Sequence, residues 1–472
     1  MSTIPPALIA AHPGQSQLPA DVARWLPEIV RFLAQFKDLL EVGVRSEETW
    51  ANAVAYALGL LAPGDRKSME PLAQRTGIPP DRLWNFITYS PWLWLLVQTR
   101  LIQMMAPRFA SEEGILSLDD TELPKQGKAS VGVAPQYCGV LGKVANCQVA
   151  VSLQYVLPNA EYHPNLSSFS LGMELYLPEA WFEEKNRERW KKARIPEGTR
   201  FRTKGQIALS LIDRARRLRV PFRAAAGDAG YGTSGVFRRA LRERKVPYMM
   251  GVQPEQTQVR APSLSGEVLS CSEVAQRIPK DRWVTVRWAE GSQGPMALRT
   301  TRVRATVTDG GKDTDEEVWL VFEKRTNETK AYVAWGLDKQ PLVELLRIQR
   351  ARWPIEQSYQ QMKEELGLDH FEGRSWLGWH HHVTMVALVQ AFLMTVRSED
   401  VRKGRKLPTV PNVRRYVQAR IAGPLMSSIL HDKNPEERKV RLLYLTEIFA
   451  IPVRYKNGRF EAPPLWELGE PL

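Results

Sequence analysis

Residues 220–252 read Val220-Pro-Phe-Arg-Ala-Ala-Ala-Gly-Asp228-Ala-Gly-Tyr-Gly232-Thr-Ser-Gly-Val-Phe-Arg-Arg-Ala-Leu-Arg-Glu-Arg-Lys-Val-Pro-Tyr-Met-Met-Gly-Val252. A short apolar strand ends at Gly227-Asp228. A helix follows over 234–244, and a second apolar strand over 247–252. Strands with so few polar positions are covered on both faces, which predicts an α/β sheet flanked by helices. Asp228 then stands at a strand end, where such sheets place their active sites.

Upstream, an amphipathic helix at Ile207–Leu218 follows three strand-like runs: Ile115–Leu118 entering Asp119-Asp120-Thr121, Gln148–Val156 and Ser168–Leu177. Three strands, helix, strand, helix, strand predicts a mixed α/β sheet. Residues 255–337 differ. Trp283–Trp288, Thr301–Val307, Val318–Phe322 and Ala331–Trp335 alternate with turn residues, which predicts a β-rich insertion. Helices resume after it, and Val383–Val396 is apolar but too short to span a bilayer, so it predicts a buried helix. Residues 22–110 carry helical periodicity throughout. Within them, Ser68–Ile87 has the pattern of a helix-turn-helix whose second helix presents Arg82, Asn85 and Tyr89 to a DNA groove. The expected organisation is a helical region at 1–110, a catalytic domain from 111–254 and 338–400, the insertion at 255–337, and a basic region at 401–472.

Hydrophobic residues at 43% and charged ones at 25% exclude wholesale disorder across the 472 residues. Lys plus Arg is 65 against 52 for Asp plus Glu, a net charge of +13 that points to a polyanion. The surplus is clustered. Arg187–Lys204 holds eight basic residues against two Glu, Arg402–Arg420 holds seven and no acid, and Arg214, Arg216, Arg217 and Arg219 form a third patch. Such clusters beside a catalytic core suit duplex DNA. Three cysteines (Cys138, Cys147, Cys271) make neither a disulfide framework nor a zinc ribbon. With no secretory pattern in residues 1–20, the expectation is a cytoplasmic protein of a reducing compartment, nucleoid-associated and without a membrane partner.

Three acids stand out: Asp120 and Asp228 at strand ends, and Glu356 early in a helix. Clustered carboxylates repel one another unless they hold a cation, and oxygen-only ligands favour Mg²⁺ or Mn²⁺. Two such ions suit phosphoryl transfer. Taken singly, each acid could equally cap a turn or face solvent. The helix reads Gln349-Arg-Ala-Arg352-Trp-Pro-Ile-Glu356-Gln-Ser-Tyr-Gln-Gln-Met-Lys363. Arg352, Glu356 and Lys363 fall within roughly 40° on one face at helical spacing. Pro354 leaves two geometries open: a kink, or a helix start that puts Arg352 in the cap. An acid between two cations suits a phosphate entering beside metal ions.

Arg352-x3-Glu356-x6-Lys363 resembles the tyrosine-arginine-glutamate-lysine signature of bacterial insertion-sequence transposases of the DDE type, departing at Gln349, where the signature has tyrosine. Asp119-Asp-Thr-Glu-Leu-Pro-Lys-Gln-Gly127, Gly132-Val-Ala-Pro-Gln-Tyr137, Gly227-Asp-Ala-Gly-Tyr-Gly232, Glu364–Trp376 and Gly378-Trp-His-His-His382 are similar to that branch, in the family's order across residues 60–400. The resemblance implies an RNase H-like core with two Mg²⁺ or Mn²⁺ ions. It implies a metal-binding triad at Asp120, Asp228 and Glu356; Asp119 is the rival for the first position, and the family's acid immediately before Thr selects Asp120. It also implies strand cleavage at terminal inverted repeats, joining to target DNA, and a homodimer holding two DNA ends. A Trp of the insertion stacks on a flipped base in some relatives; Trp288, Trp319 and Trp335 are the candidates.

Arg352, Lys363, Lys125, Lys128, Lys143 and Arg82 are the expected DNA contacts. The loop at Gly127–Lys143 lacks the Walker pattern. Three consecutive helical histidines, His380–His382, point in different directions and cannot share one ion. The competing function is a transposase-derived DNA-binding regulator that does not cut; a carbohydrate hydrolase using two carboxylates explains neither the charge nor the cations flanking Glu356.

Overall fold

The computed structural model describes residues 27–43, 46–62, 66–76, 78–157, 168–291 and 294–402, together with Arg414, 454–456 and 459–461. Most of the basic 401–472 region and residues 1–26 lie outside the described residues.

The chain opens with helices α1 (Pro27–Ala34), α2 (Lys37–Leu40), α3 (Ser46–Leu61), α4 (Met69–Thr76), α5 (Pro80–Thr88) and α6 (Trp94–Phe109). Trp50, Val54, Tyr56 and Leu60, with alanines between them, are buried, so α3 is the inner helix of this bundle. Helices α4 and α5 pack on α3 and on each other. Pro80 starts α5 because its fixed φ suits the first turn and its missing N–H is not needed there. The two helices expected of a helix-turn-helix are therefore present, while Gly77 between them lies outside the described residues.

Next come strands β1 (Ile115–Pro124), β2 (Ala134–Cys138), β3 (Lys143–Val156) and β4 (Ser168–Tyr176), then helices α7 (Arg187–Ala193) and α8 (Lys204–Arg217). Strand β5 (Ala224–Gly227), short helix α9 (Ala229–Gly232), α10 (Gly235–Glu243) and β6 (Tyr248–Val252) complete the first part of the core. A capping box between Thr203 and Gln206 fixes the start of α8. β1 is antiparallel to β3 and parallel to β5; β3 is antiparallel to β4, and β5 parallel to β6. The order β4-β3-β1-β5-β6 is the mixed sheet that the strand and helix order predicts and the RNase H-like arrangement that the resemblance implies. At the bulge opposite Leu153, Gly172 takes φ +143, and a Cβ there would collide with the Arg214 guanidinium. Arg214 is thus buried, donating to Gln98 Oε1 and Leu171 O, and does not join a surface basic patch.

The insertion contains β7 (Gln258–Arg260), β8 (Val268–Ser270), α11 (Cys271–Arg277), β9 (Val284–Gly291), β10 (Gly294–Asp309), β11 (Lys312–Lys324) and β12 (Thr329–Trp335). It continues the core sheet. β12 pairs antiparallel with β6, giving one twelve-stranded sheet among the described residues. The pairing satisfies backbone groups that β6 would otherwise expose at an edge. A buried polar knot adds a second tie. Glu316 of β11 accepts from Arg238 Nε at 2.6 Å and Tyr248 OH at 2.6 Å, and pairs with Arg242 at 2.9 Å. Removing its carboxylate would take the buried counter-charge from two guanidinium groups, leaving Arg238 only Gly232 O and Arg242 only the exposed Asp315, a loss of about 3–5 kcal/mol.

Helices α12 (Leu342–Arg350), α13 (Trp353–Leu366) and α14 (Trp376–Arg402) follow. Buried from Gly378 to Met394 except at Gln390, α14 threads between the helical bundle and β4, as its mostly apolar run predicts. β13 (Arg454–Lys456) and β14 (Arg459–Glu461) form a separate antiparallel pair.

Candidate active site

The apolar residues Ile115–Leu118 bury the first half of β1 and deliver Asp119 and Asp120 to its partly exposed half. Successive strand side chains point to opposite faces, so these neighbouring carboxylates part company. Asp119 shares its face with Ser152, its partner on β3, and with α13. Tyr359 of α13 hydrogen-bonds the Ser152 hydroxyl and donates to Asp119 O at 3.3 Å. Asp120 turns to the other face, where its carboxylate accepts from Lys204 Nζ at 2.7 Å and from the Tyr231 hydroxyl.

Asp228 N-caps α9. Its Oδ1 accepts from Gly230 N at 2.9 Å and Tyr231 N at 3.3 Å. This turn lies so close to β6 that a Cβ on Gly232 would stand 1.9 Å from Gly251 O, so only glycine lets it pack there. Tyr231 thus links Asp228, through its backbone, to Asp120, through its hydroxyl.

Pro354 begins α13 rather than kinking a longer helix, and Arg352 is the N-cap residue. From the cap its guanidinium reaches two acids: Asp119 Oδ2 at 3.6 Å and Glu356 Oε1 at 3.8 Å. Glu356 is 61% exposed while Asp119 is only 15% exposed. Burial pushes the Asp119 carboxyl up to about 7; Arg352 pulls it down, and the charges of Asp228 and Asp120 push it further up. Asp119, Arg352 and Glu356 are thus neighbours, with Asp228 near enough to act on Asp119 electrostatically. Asp120 is held by Lys204 and Tyr231 on the opposite side of β1. Among the described residues no three His, Cys, Asp or Glu side chains already stand at the spacing of an ion's ligand set.

The expected DNA contacts divide. Lys128 and Lys143 are exposed. Lys125 turns inwards, donating to Asp369 O at 3.1 Å and Phe371 O at 2.7 Å, and burial pushes its ammonium down to about 8. Lys363 donates to Glu122 O at 3.0 Å, and burial lowers its pKa too. Arg82 donates to Asn52 Oδ1 at 3.1 Å inside the bundle, leaving Asn85 and Tyr89 on the outer face of α5. In these three cases a long basic side chain satisfies protein acceptors that would otherwise lack a donor. Gln349, at the signature's tyrosine position, is buried and donates to Tyr332 OH at 3.2 Å, so it braces the insertion. Trp288, Trp319 and Trp335 are partly buried against the core, and Arg302 lies over the Trp319 ring.

Sequence reasoning missed Lys204, Tyr231 and Tyr359. Tyr231 and Tyr359 each lie three residues beyond a singled-out acid, Asp228 and Glu356, which is the one local signal they offered. Lys204 is joined to Asp120 by tertiary structure alone.

The family described as DDE superfamily endonuclease matches residues 35–295, more than half of the chain. The chain belongs to this family. A second DDE family description, Transposase DDE domain, matches residues 202–392. The DDE chain is 27% identical over 198 residues to a probable transposase for insertion sequence element IS701 from Microchaete diplosiphon. That alignment covers 42% of this chain, and the chain spans about half the length of that relative, 47%. A solved piggyBac transposase synaptic complex with hairpin DNA aligns with a TM-score of 0.43 at 12% identity, over 91% of this chain and 83% of that one.

Proposed function

We propose that this DDE endonuclease is an insertion-sequence transposase. It binds the terminal inverted repeats of its element as a homodimer, cleaves DNA strands and joins the freed ends to target DNA. The observation that carries the proposal is the meeting of Asp119 and Glu356 at one guanidinium, with Asp228 close enough to raise the Asp119 pKa. We assign the metal-holding set to Asp119, Asp228 and Glu356, and give Asp120 a positioning role. Their donors are hard carboxylate oxygens; burial first, and then the charge of Asp228, disfavours the ionised form of Asp119, and a bound divalent cation would offset both. The chemistry that bound Mg²⁺ or Mn²⁺ supplies is activation of an attacking oxygen and stabilisation of the leaving one at a phosphodiester.

The chain's own residues do the rest. Arg352 supplies a fixed guanidinium between two acids, suited to a bridging phosphate oxygen. Lys204 and Tyr231 hold Asp120, and through the Tyr231 turn they fix the approach of Asp228. Exposed Lys128 and Lys143 give the salt-sensitive part of duplex binding.

Incubation of the protein with a plasmid carrying its gene and native flanks, with Mg²⁺ or Mn²⁺, tests this. Breaks at a pair of inverted repeats are expected, and they disappear with Asp228→Ala. Tight binding to the flanks without breaks would replace the transposase with the non-cutting regulator.

A further inference from the structure

The loop between Gly127 and Lys143 is more built than a loop. It contains β2, a 3₁₀ turn at Gly139–Leu141 and the first residues of β3. Cys138 pairs with Lys143 and Tyr137 with Val144, so these residues form a hairpin tip. Four large apolar side chains stand out from it: Tyr137 is 65% exposed, Val140 60%, Leu141 46% and Val144 67%. The base is firm. Cys138, Cys147 and Val149 make a small buried cluster, and Gln136 Nε2 donates to Cys147 O at 2.9 Å. Gly142 closes the turn at φ +63.

The hairpin curls back over the end of β1. A Cβ on Gly139 would stand 3.7 Å from Glu122 Oε2, and Glu122 is two residues beyond Asp120. Lys363 of α13 is bonded to the same residue's carbonyl. Whatever covers the tip therefore lies across the end of β1, on the side to which Asp120 and Glu122 turn. The tip's own outward charge is Lys143. Exposed apolar groups on a rigid support, with a cation beside them, match the side chains that proteins push between base steps to unstack a duplex.

We propose that Val140 and Leu141, flanked by Tyr137 and Val144, enter the base stack of the DNA lying across this end of β1 and unstack it there. The proposal rests on the DNA-cleaving reading above and adds where the duplex is distorted and by what.

Short duplexes from the gene's flank, carrying 2-aminopurine at successive positions, provide the test, with Ca²⁺ in place of Mg²⁺ so that binding is read apart from cutting. The full chain is expected to give a several-fold fluorescence rise at one or two adjacent positions. Val140→Ser with Leu141→Ser removes the rise while binding in gel shift stays within a few-fold. Val140→Phe with Leu141→Met, which keeps the apolar bulk, retains it. Bound duplex with no fluorescence change at any position overturns the proposal while the DNA reading stands. A rise that survives the double serine variant overturns it as well. A double serine variant that loses self-association, measured by sedimentation, while keeping the rise assigns the tip to a second copy of the chain instead. Failure of the unaltered protein to bind or cut any flank sinks both readings together.

Discussion

Two runs of identical titratable residues in this chain meet opposite fates. Asp119-Asp120 lies on a strand, and His380-His381-His382 on a helix. In both, secondary-structure periodicity sends neighbours in different directions. The histidines all go into the core. His380 stacks on Trp94 with Trp376 tilted beside it, the His381 and Trp92 ring centroids lie 3.6 Å apart, and His382 bonds Tyr56. Burial pushes them down to about 3, 4 and 4, so they stay neutral and act as aromatic polar staples between α14 and the helical bundle. The aspartates remain within reach of solvent and face cations, Asp119 the Arg352 guanidinium and Asp120 the Lys204 ammonium. A run of like residues therefore reveals little by itself; what surrounds each member separates scaffold from site.

The largest expected effect divides the aspartates. Asp119→Asn lowers metal-dependent strand cleavage by about a thousandfold or more, on the order of 4 kcal/mol of barrier. Asp120→Asn costs about tenfold to a hundredfold, the usual loss for a residue that orients a ligand. Initial rates on flank DNA would decide, and the reverse order would return the first metal position to Asp120.

The histidine run should dominate acid stability. Their folded pKa values lie below the unfolded value, so the unfolded chain binds more protons. Stability is present above about pH 6.5 and falls as pH drops towards 4, at up to about 4 kcal/mol per pH unit for three groups. Calorimetry across that range checks this, and a flat profile would mean that the histidines are not buried as described. His381→Ala should cost about 3 kcal/mol of stability and leave the cleavage rate per folded molecule unchanged.

The lysines sharpen the contrast at the smallest scale. Lys143→Ala should weaken duplex binding a few-fold and reduce the salt slope by about one. Lys125→Met should lower the melting temperature and leave that slope alone, because its ammonium already serves two backbone carbonyls. Equal salt slopes for the two variants would erase the distinction.

The mixed sheet, the strand-rich stretch after β6, the buried helix and the DDE resemblance were legible in the sequence, because each rests on local periodicity or motif spacing, whereas β2 and α7, in a Gly-rich loop and a charged stretch, were not. The alternative that put Arg352 in a helix cap was legible as well. The sequence also brought Glu356 and Arg352 together, four residues apart on one helix start. It could not decide between Asp119 and Asp120, since a strand's two faces are equivalent until something packs on them. Helix α13 with Tyr359 covers one face, and Lys204 with Tyr231 covers the other, from segments far away in the chain. Nor could it tell inward from outward lysines, because the acceptors of Lys125 and Lys363 are backbone carbonyls over 240 residues distant. The joining of the insertion to β6 was hidden for the same reason: strand edges carry no sequence label, and only the folded sheet chooses their partners.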